Sequence, residues 1–370
     1  MSRILFVDDD PRLLQGLKRL TISRGSTWHC DFALSGAEGL SFLRQGAYDI
    51  VISDMQMPRM NGAEFLEQVR ILSPQAVRIV LSGYSHIESI VSVAGSAHQY
   101  VAKPCSFEQL MGVIVRALAL RQSFSRTALH SIVGKLHALP SPSERYTRLL
   151  ALLESPLTST DALATVMKDD IAMVAEVLKL TNSQYFALTN TATSIEQAIR
   201  LLGTDIIRML VFNVGIFSSF KITGPAAILM GALQARAMRL STECAGRAAD
   251  AGLPSTTVQM ARIAGMLCEI GVLVLLNDVP QSYTKLACDT ADTGLRLLEA
   301  EQESMGINHA ELGAYLLGLW GFQDDIVWAL TALSPCAPAG HDPGPIAPIL
   351  QNLLAEDPLE YTTQSLAAPA

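Results

Sequence analysis

The stretch Arg3-Ile-Leu-Phe-Val-Asp-Asp-Asp10 joins four apolar residues directly to three acids. A short apolar run of this kind is typical of a buried strand in a parallel sheet. Similar runs recur along the chain, and each leads to a polar residue, namely Asp54, Ser82 and Lys103. Because the carboxyl ends of parallel strands meet at one edge of an open sheet, we expect these side chains to share one pocket.

Segments with helical periodicity separate these apolar runs. The predicted strands are Arg3–Val7, Trp28–Ala33, Ile50–Ser53, Val77–Leu81 and Tyr100-Val101. The predicted helices between and after them are Pro11–Ser23, Ala37–Arg44, Ala63–Leu72, Ile87–Val93 and a helix that starts at Phe107. Strand–helix units in this order imply an α/β fold whose parallel sheet is covered by helices on both faces.

The polar residues at the predicted sheet edge suit phosphoryl transfer. Asp8, Asp9 and Asp54 offer the oxygen ligands that Mg²⁺ prefers. Once a cation screens their mutual repulsion, the carboxylate of Asp54 can attack a phosphoryl donor. Lys103 can pair with that carboxylate and later with a phosphoryl oxygen. The hydroxyl of Ser82 is a hydrogen-bond donor for the new phosphoryl group.

In these residues and their order, residues 1–121 resemble the receiver domain of two-component response regulators. The resemblance implies a flavodoxin-like fold with a five-stranded parallel sheet in the order 2-1-3-4-5. It implies that a sensor histidine kinase phosphorylates Asp54. It also implies that Asp9, Asp54 and the backbone carbonyl of Gln56 bind Mg²⁺, and that Asp8 acts through water.

By the same resemblance, Ser82 and Tyr100 form a switch pair. Ser82 would move toward the phosphoryl group, and Tyr100 would rotate inward behind it. The surface formed by the fourth helix, fifth strand and fifth helix would change in response. A phosphoryl group adds nearly two negative charges at one point, and such a local change can bias a two-state element. The helix from Phe107 is then the direct route to the rest of the chain.

The segments that flank the second part of the chain have simpler predictions. Residues 122–138 are predicted to continue the helix from Phe107 as a connecting helix, which stops at Leu139-Pro140-Ser141-Pro142. A two-stranded coiled coil and a connecting helix packed on its own chain are both compatible with its pattern. Residues 336–370 are rich in Pro, Ala and Gly and are predicted to form a loose tail.

Residues 139–335 are predicted to form an all-α domain, because helical periodicity repeats there with almost no strand-like alternation. This region resembles the HDOD domain, a helical relative of the HD-type metal phosphohydrolases. The residues that carry the resemblance are Arg148-Leu-Leu, Asp169-Asp170, Asn182-Ser183 with Tyr185-Phe186, and Ser194-Ile-Glu-Gln-Ala-Ile-Arg-Leu-Leu-Gly203. Ser194 suits a helix N-cap, and Gly203 suits the end of that helix.

A metal-dependent hydrolase site of the HD type needs several His and Asp ligands. Between residues 138 and 333 the only histidine is His309. Where relatives carry adjacent His and Asp, this chain has Cys268-Glu269, and the region expected to supply an upstream histidine reads Leu233-Gln-Ala-Arg236. We therefore expect no metal cofactor in this domain and no enzymatic activity beyond autophosphorylation and dephosphorylation of the receiver domain.

Bulk composition narrows the cellular context. The chain has 370 residues, a net charge of -8 and 49% hydrophobic residues, so it can fill sizeable cores and is a poor candidate for broad nucleic-acid binding. No signal-peptide pattern is recognisable at its N-terminus, and the longest apolar stretches are too short to span a bilayer. Its six cysteines have no framework spacing, so we expect reduced thiols and a cytoplasmic protein.

These observations predict a response regulator of a two-component phosphorelay whose HDOD domain binds other molecules. The expected partners are a sensor histidine kinase and an unidentified downstream signalling protein; a nucleotide ligand and a homodimer are both compatible. Tyr185, Phe186, Trp320 and Trp328 are either a docking patch or core residues. The alternative function is a phospho-regulated, metal-dependent phosphohydrolase or phosphodiesterase that acts on a nucleotide. A transcription factor would need a basic helix-turn-helix, and none is recognisable.

Overall fold

The structure is a computed structural model. It describes residues 2–23, 28–83, 93–155, 157–183, 192, 194–214, 217–220, 224–293, 297–338 and 340–356. The predicted helix Ile87–Val93, apart from its last residue, lies outside the described residues, as do Tyr185 and Phe186.

The N-terminal domain is built on a five-stranded parallel sheet in the order β2-β1-β3-β4-β5. The strands are β1 (Arg3–Val7), β2 (His29–Ala33), β3 (Ile50–Asp54), β4 (Val77–Gly83) and β5 (Gln99–Lys103). The helices are α1 (Pro11–Ser23), α2 (Gly36–Gln45), α3 (Gly62–Leu72) and α4 (Phe107–Ser123). The predicted flavodoxin-like fold and its strand order are confirmed.

The strand order explains where a site can form. The chain runs from β1 out to β2 and then returns to β3 on the other side of β1. Connections therefore leave the sheet in opposite directions at the β1–β3 pair, which opens a crevice beyond the carboxyl ends of these strands. Both strands are buried because their residues face helices on either side of the sheet.

The connecting segment is not one continuous helix, so the prediction of a helix through residues 122–138 is wrong. Helix α4 ends at Ser123, and α5 spans Thr127–Lys135. Between them Phe124 is buried and packs against Tyr315 and Trp328 of the second domain. Burial of this aromatic side chain explains why the chain turns there. The segment packs on its own chain, as one of the two alternatives predicted.

The second domain, which follows α5, is predominantly helical. Its helices are α6 (Ser143–Glu154), α7 (Thr160–Met167), α8 (Ile171–Thr181), α9 (Ile195–Leu202), α10 (Thr204–Met209), a π-helix (Leu210–Val214), α11 (Pro225–Asp250), α12 (Ser255–Leu267), α13 (Ile270–Asp278), α14 (Pro280–Thr293), α15 (Leu297–Met305), α16 (His309–Leu319) and α17 (Asp324–Thr331). Ser194 caps α9, and Gly203 ends it with a φ of 81°, as predicted.

A small sheet refines the all-α prediction for this domain, and one apolar stretch bears on the prediction about membrane spans. A small parallel sheet joins β6 (Leu139–Pro142) to β7 (Phe217–Phe220). The prediction that the longest apolar stretches are too short to span a bilayer is wrong by length, because Ser255–Asp278, which includes α12 and α13, has the length of a membrane span and contains a window with a mean hydropathy of 1.7. However, 78% of its apolar window is buried inside the protein, as expected for a core helix.

Residues 336–370 do not form a loose tail throughout, so that prediction is wrong for part of the segment. A further helix, α18, spans Ile346–Glu356. Its buried residues are Ile346, Ala347, Leu350 and Leu353, which lie on one face at helical spacing. This apolar stripe outweighs the high Pro and Gly content of the surrounding sequence, and the helix packs against α11, α12 and α17.

In one part of the interface between the two domains, α4 and α5 face α16 and α17. Arg116 forms an ion pair with Asp324, with an N–O distance of 2.9 Å. Arg126 lies 3.5 Å from a carboxylate oxygen of Glu311. Gly318 lets α16 approach α4 closely, since a Cβ atom there would lie 2.9 Å from the Leu120 side chain.

His130 of this interface predicts a pH dependence of stability. Its ring lies 5.1 Å from the Tyr315 ring, and burial together with Arg121 lowers its pKa from 6.5 to about 4. As the pH falls, His130 is therefore protonated in the unfolded chain before it is protonated in the folded protein. Stability that is present above pH 6.5 is lost between pH 6.5 and about 4. Denaturant unfolding should detect a smaller loss over this interval in His130→Phe than in the unchanged chain. Parallel pH profiles for the two proteins would contradict this assignment.

Candidate functional site at the sheet edge

Side chains from three strands converge at the carboxyl edge of the N-terminal sheet. The ammonium of Lys103 donates hydrogen bonds to Asp8 at 2.7 Å and to Asp54 at 2.5 Å. The ligand oxygens of Asp8, Asp9 and Asp54 all lie within 4.8 Å of one another. The structure thus gathers the three acids and the lysine that the sequence predicts to share a pocket.

Local backbone structure holds these acids in place. Asp54 is the last residue of β3, and the backbone N–H of Gln56 donates to its carboxylate at 3.1 Å. The backbone N–H of Asp10 donates to the Asp8 carboxylate at 2.9 Å. Gly62 starts α3 against the loop, where a Cβ atom would lie 2.3 Å from the Asp54 carbonyl oxygen. Only glycine allows this approach of α3 to the acid.

The pocket carries more negative than positive charge. Burial raises the pKa of Asp54, and Lys103 only partly offsets that effect. Burial alone would lower the pKa of Lys103, but its hydrogen bonds to Asp54 and Asp8 outweigh burial and raise it. Three carboxylates that face one ammonium leave an excess of hard oxygen ligands. This arrangement fits a divalent cation such as Mg²⁺.

Ser82 lies near the carboxyl end of β4, at the same edge of the sheet as this pocket. It precedes the last residue of β4, and its neighbour Gly83 pairs with Lys103 across the sheet. The hydroxyl of Ser82 is buried and has no hydrogen-bond partner among the residues that the structure describes. Tyr100 is buried on β5, and its hydroxyl donates to the Ala94 carbonyl at 3.1 Å.

An acidic crevice at the β1–β3 edge of a flavodoxin-like sheet, with a lysine from β5, defines a receiver domain of the response-regulator class. A family model described as "Response regulator receiver domain" matches residues 4–115. A second family model, described as "HDOD domain", matches residues 139–334, more than half of the chain. The chain therefore belongs to the HDOD family and carries a receiver domain ahead of its HDOD domain.

The curated relatives are regulatory proteins that match less than half of this chain. The transcriptional regulatory protein ZraR of Escherichia coli K12 is 32% identical over 117 residues, which are 31% of this chain and 26% of ZraR. The regulatory protein AtoC of the same organism is 28% identical over 170 residues, or 46% of this chain and 34% of AtoC. The chain thus spans between a quarter and about a third of the length of these relatives.

Solved structures that match parts of this chain include the response regulator MmoQ of Methylococcus capsulatus, with 21% identity and a TM-score of 0.46 over 58% of this chain and 83% of that one. The response regulator TrrA of Thermotoga maritima, solved with Mg²⁺ and BeF, has 34% identity and a TM-score of 0.29. That alignment covers 32% of this chain and 99% of TrrA.

Inside the HDOD domain, two buried ionic contacts involve positions where the sequence analysis looked for metal ligands of the HD type. Arg236 of α11 donates to Glu269 at 2.9 Å, and both side chains are buried. His309 lies 2.8 Å from a carboxylate oxygen of Glu301, and the Tyr283 hydroxyl donates to the other oxygen at 2.5 Å. Sequence reasoning considered Arg236, Glu269 and His309 separately and missed these pairings.

Proposed function

We propose that this response regulator is phosphorylated on Asp54 by a sensor histidine kinase, and that its HDOD domain is a non-catalytic output module that binds a downstream protein. The observation that carries the first part is the contact of Lys103 with both Asp8 and Asp54 beside a third acid, Asp9. The observation that carries the non-catalytic role of the HDOD domain is the Arg236–Glu269 ion pair.

Asp54 is the nucleophile of the proposed transfer. An oxygen of its carboxylate forms a bond to phosphorus while the bond between phosphorus and the imidazole nitrogen of the donor breaks, and the leaving imidazole takes up a proton. Lys103 already contacts this carboxylate and can follow the charge onto a phosphoryl oxygen. Ser82 supplies a hydroxyl that has no hydrogen-bond partner among the described residues and can donate to the product. Asp8, Asp9, Asp54 and the carbonyl of Gln56 would hold Mg²⁺, which neutralises charge on the transferring group.

Asp9 provides a test of the cation requirement that leaves Asp54 intact. Asp9→Asn should lower the rate of Mg²⁺-dependent labelling by acetyl phosphate by about tenfold or more, since a ligand carboxylate is lost. Asp10→Asn is the matched control, because Asp10 lies in the same acidic run and outside the cluster. Equal labelling rates for Asp9→Asn and Asp10→Asn would remove Asp9 from the proposed Mg²⁺ site.

The non-catalytic role of the HDOD domain is supported by the side chains at the position of an HD-type site. The guanidinium of Arg236 pairs with Glu269, so a positively charged side chain takes the place that a metal cation would have beside an acid. Among the described residues, three potential metal ligands come within reach of one ion at Asp8, Asp9 and Asp54. This group lies in the receiver domain.

Metal analysis separates this proposal from the phosphohydrolase alternative. The full chain carrying Asp9→Asn and Asp54→Asn, which weaken the receiver site, is dialysed against Zn²⁺, Mn²⁺ or Fe²⁺ and then against buffer. We expect no stoichiometric metal and no turnover of a cyclic dinucleotide. One retained metal ion per chain together with phosphodiesterase turnover would establish the alternative.

We further propose a cytoplasmic location without membrane or broad nucleic-acid contact. The six cysteines are all free thiols, which suits a reducing compartment. The net charge of -8 opposes nonspecific binding to nucleic acid. The downstream partner is then a protein, and a second copy of the chain is one candidate.

A further inference from the structure

One carbonyl oxygen of the receiver domain accepts hydrogen bonds from both domains. The Tyr100 hydroxyl donates to the Ala94 oxygen at 3.1 Å. The ammonium of Lys179, on α8 of the HDOD domain, donates to the same oxygen at 2.8 Å. A carbonyl oxygen has two lone pairs and can accept both bonds at once. The position of this single oxygen therefore affects a receiver side chain and an HDOD side chain together.

Lys179 is sensitive to the position of the Ala94 carbonyl oxygen because its ammonium is buried. Its side chain is 4% exposed, and the Glu176 carboxylate, 2% exposed, lies 3.4 Å away. The Trp320 ring centroid lies 4.5 Å from the ammonium. The bond to Ala94 is shorter than the ion pair to Glu176. A buried ammonium needs good acceptors, so loss of the Ala94 oxygen strongly disfavours the docked arrangement.

The segment that carries Ala94 is clamped from several directions. Val93–Ala97 lie just before β5, which pairs with β4, and Leu81 of β4 pairs with Asp54. A Cβ atom at Gly95 would lie 2.8 Å from the His137 ring, so the connecting segment packs directly on this turn. The Ser96 hydroxyl donates to Glu67 at 2.8 Å. A shift of this turn cannot be absorbed locally, because its neighbours are already in contact.

We propose that Lys179 and Glu176 are positioning residues through which the HDOD domain senses the Val93–Ala97 turn and the Tyr100 hydroxyl of the receiver domain. This inference rests on the proposed function, since phosphorylation of Asp54 supplies the change that is sensed. When the turn holds the Ala94 oxygen against Lys179, the domains are docked. When the turn moves, Lys179 loses this acceptor and the docked arrangement is weakened. By linkage, changes at Lys179 alter the response of the receiver domain.

Hydrogen exchange of backbone amides tests this coupling in the full chain. The amides of Ser96 and Ala97 report on the turn, because both donate to the Val93 carbonyl beneath the HDOD domain. Mg²⁺ with beryllofluoride serves as the phosphoryl analogue. In the unchanged chain we expect the analogue to speed exchange of these amides by about tenfold, the usual size of a coupling between sites.

Two variants distinguish sensing from simple packing. Lys179→Met, which keeps an unbranched side chain as far as the ε position and removes the ammonium, should exchange fast without the analogue and respond little to it. Glu176→Gln with Lys179→Met serves the same purpose if the single variant does not fold. Arg116→Met removes an interdomain ion pair away from the turn and should keep a response of the unchanged size.

Tyr100→Phe completes the test, because it removes only the second donor to the Ala94 oxygen. Its effect on exchange should be smaller in the Lys179→Met background than alone, whereas Tyr100→Phe and Arg116→Met should act independently. Unchanged exchange in Lys179→Met, or equal behaviour of Lys179→Met and Arg116→Met, overturns the inference. Labelling by acetyl phosphate is measured on the same proteins without beryllofluoride. If Asp54 is labelled normally, the proposed function stands; if no labelling occurs, both fail.

Discussion

Asp54→Asn is expected to abolish incorporation of phosphate from acetyl phosphate into the full chain. The amide cannot act as the nucleophile, and no neighbouring acid is equivalent to Asp54. Asp8 accepts from Lys103 and from the backbone N–H of Asp10, and Asp9 is exposed at the rim of the cluster. Of these acids, only Asp54 is the last residue of the central strand β3, and the start of α3 packs against its backbone carbonyl.

Radiolabel retained after denaturing electrophoresis measures this effect. Asp10→Asn is the matched control and should label like the unchanged chain, since it removes the same charge outside the cluster. Circular dichroism of the Asp54→Asn protein must match that of the unchanged chain. Labelling that persists in a folded Asp54→Asn protein would place the acceptor at another residue.

Arg236→Met is expected to lower the free energy of unfolding by about 3–5 kcal/mol, the usual cost of removing one partner of a buried ion pair. The substitution leaves the Glu269 carboxylate buried without the guanidinium that donates to it at 2.9 Å. Burial also explains the large effect, because neither side chain can be solvated without opening the packing between α11 and α13.

The double variant Arg236→Met with Glu269→Leu separates the ion pair from its packing. Because it removes both charges, it should lose clearly less stability than Arg236→Met alone in denaturant titrations. Asp205→Asn is a surface control, because this partner of Arg208 is exposed, and it should change stability by less than about 1 kcal/mol. If the free energy of unfolding of Arg236→Met lay within about 1 kcal/mol of that of the unchanged chain, the ion pair would not stabilise the domain in place of a metal.

The N-terminal fold could be predicted from the sequence because every local signal agrees with the tertiary arrangement. Each apolar run is a strand, and the polar residue at its end lies at the shared edge of the sheet. The predicted strand Arg3–Val7 and helix Pro11–Ser23 have the same bounds in the structure. The same consistency made Asp8, Asp9, Asp54 and Lys103 predictable as one site.

The features that the sequence did not predict depend on distant parts of the chain. The break after α4 follows from contacts of Phe124 with Tyr315 and Trp328, while its own sequence continues a helical pattern. Helix α14 begins at a proline and carries many polar residues, so its periodicity is weak. Lys179 and Glu176 have the spacing of a solvated surface pair, and only the receiver domain that packs over Lys179 reveals their burial.

Chemical trapping of the phosphorylated residue tests the central claim most directly. The full chain is incubated with Mg²⁺ and acetyl phosphate, treated with borohydride, which reduces an acyl phosphate to an alcohol, and digested for mass spectrometry. The account predicts conversion of aspartate to homoserine at residue 54 and nowhere else. Conversion at Asp8, Asp9 or any other acid, or none at any acid of a folded sample, would contradict it.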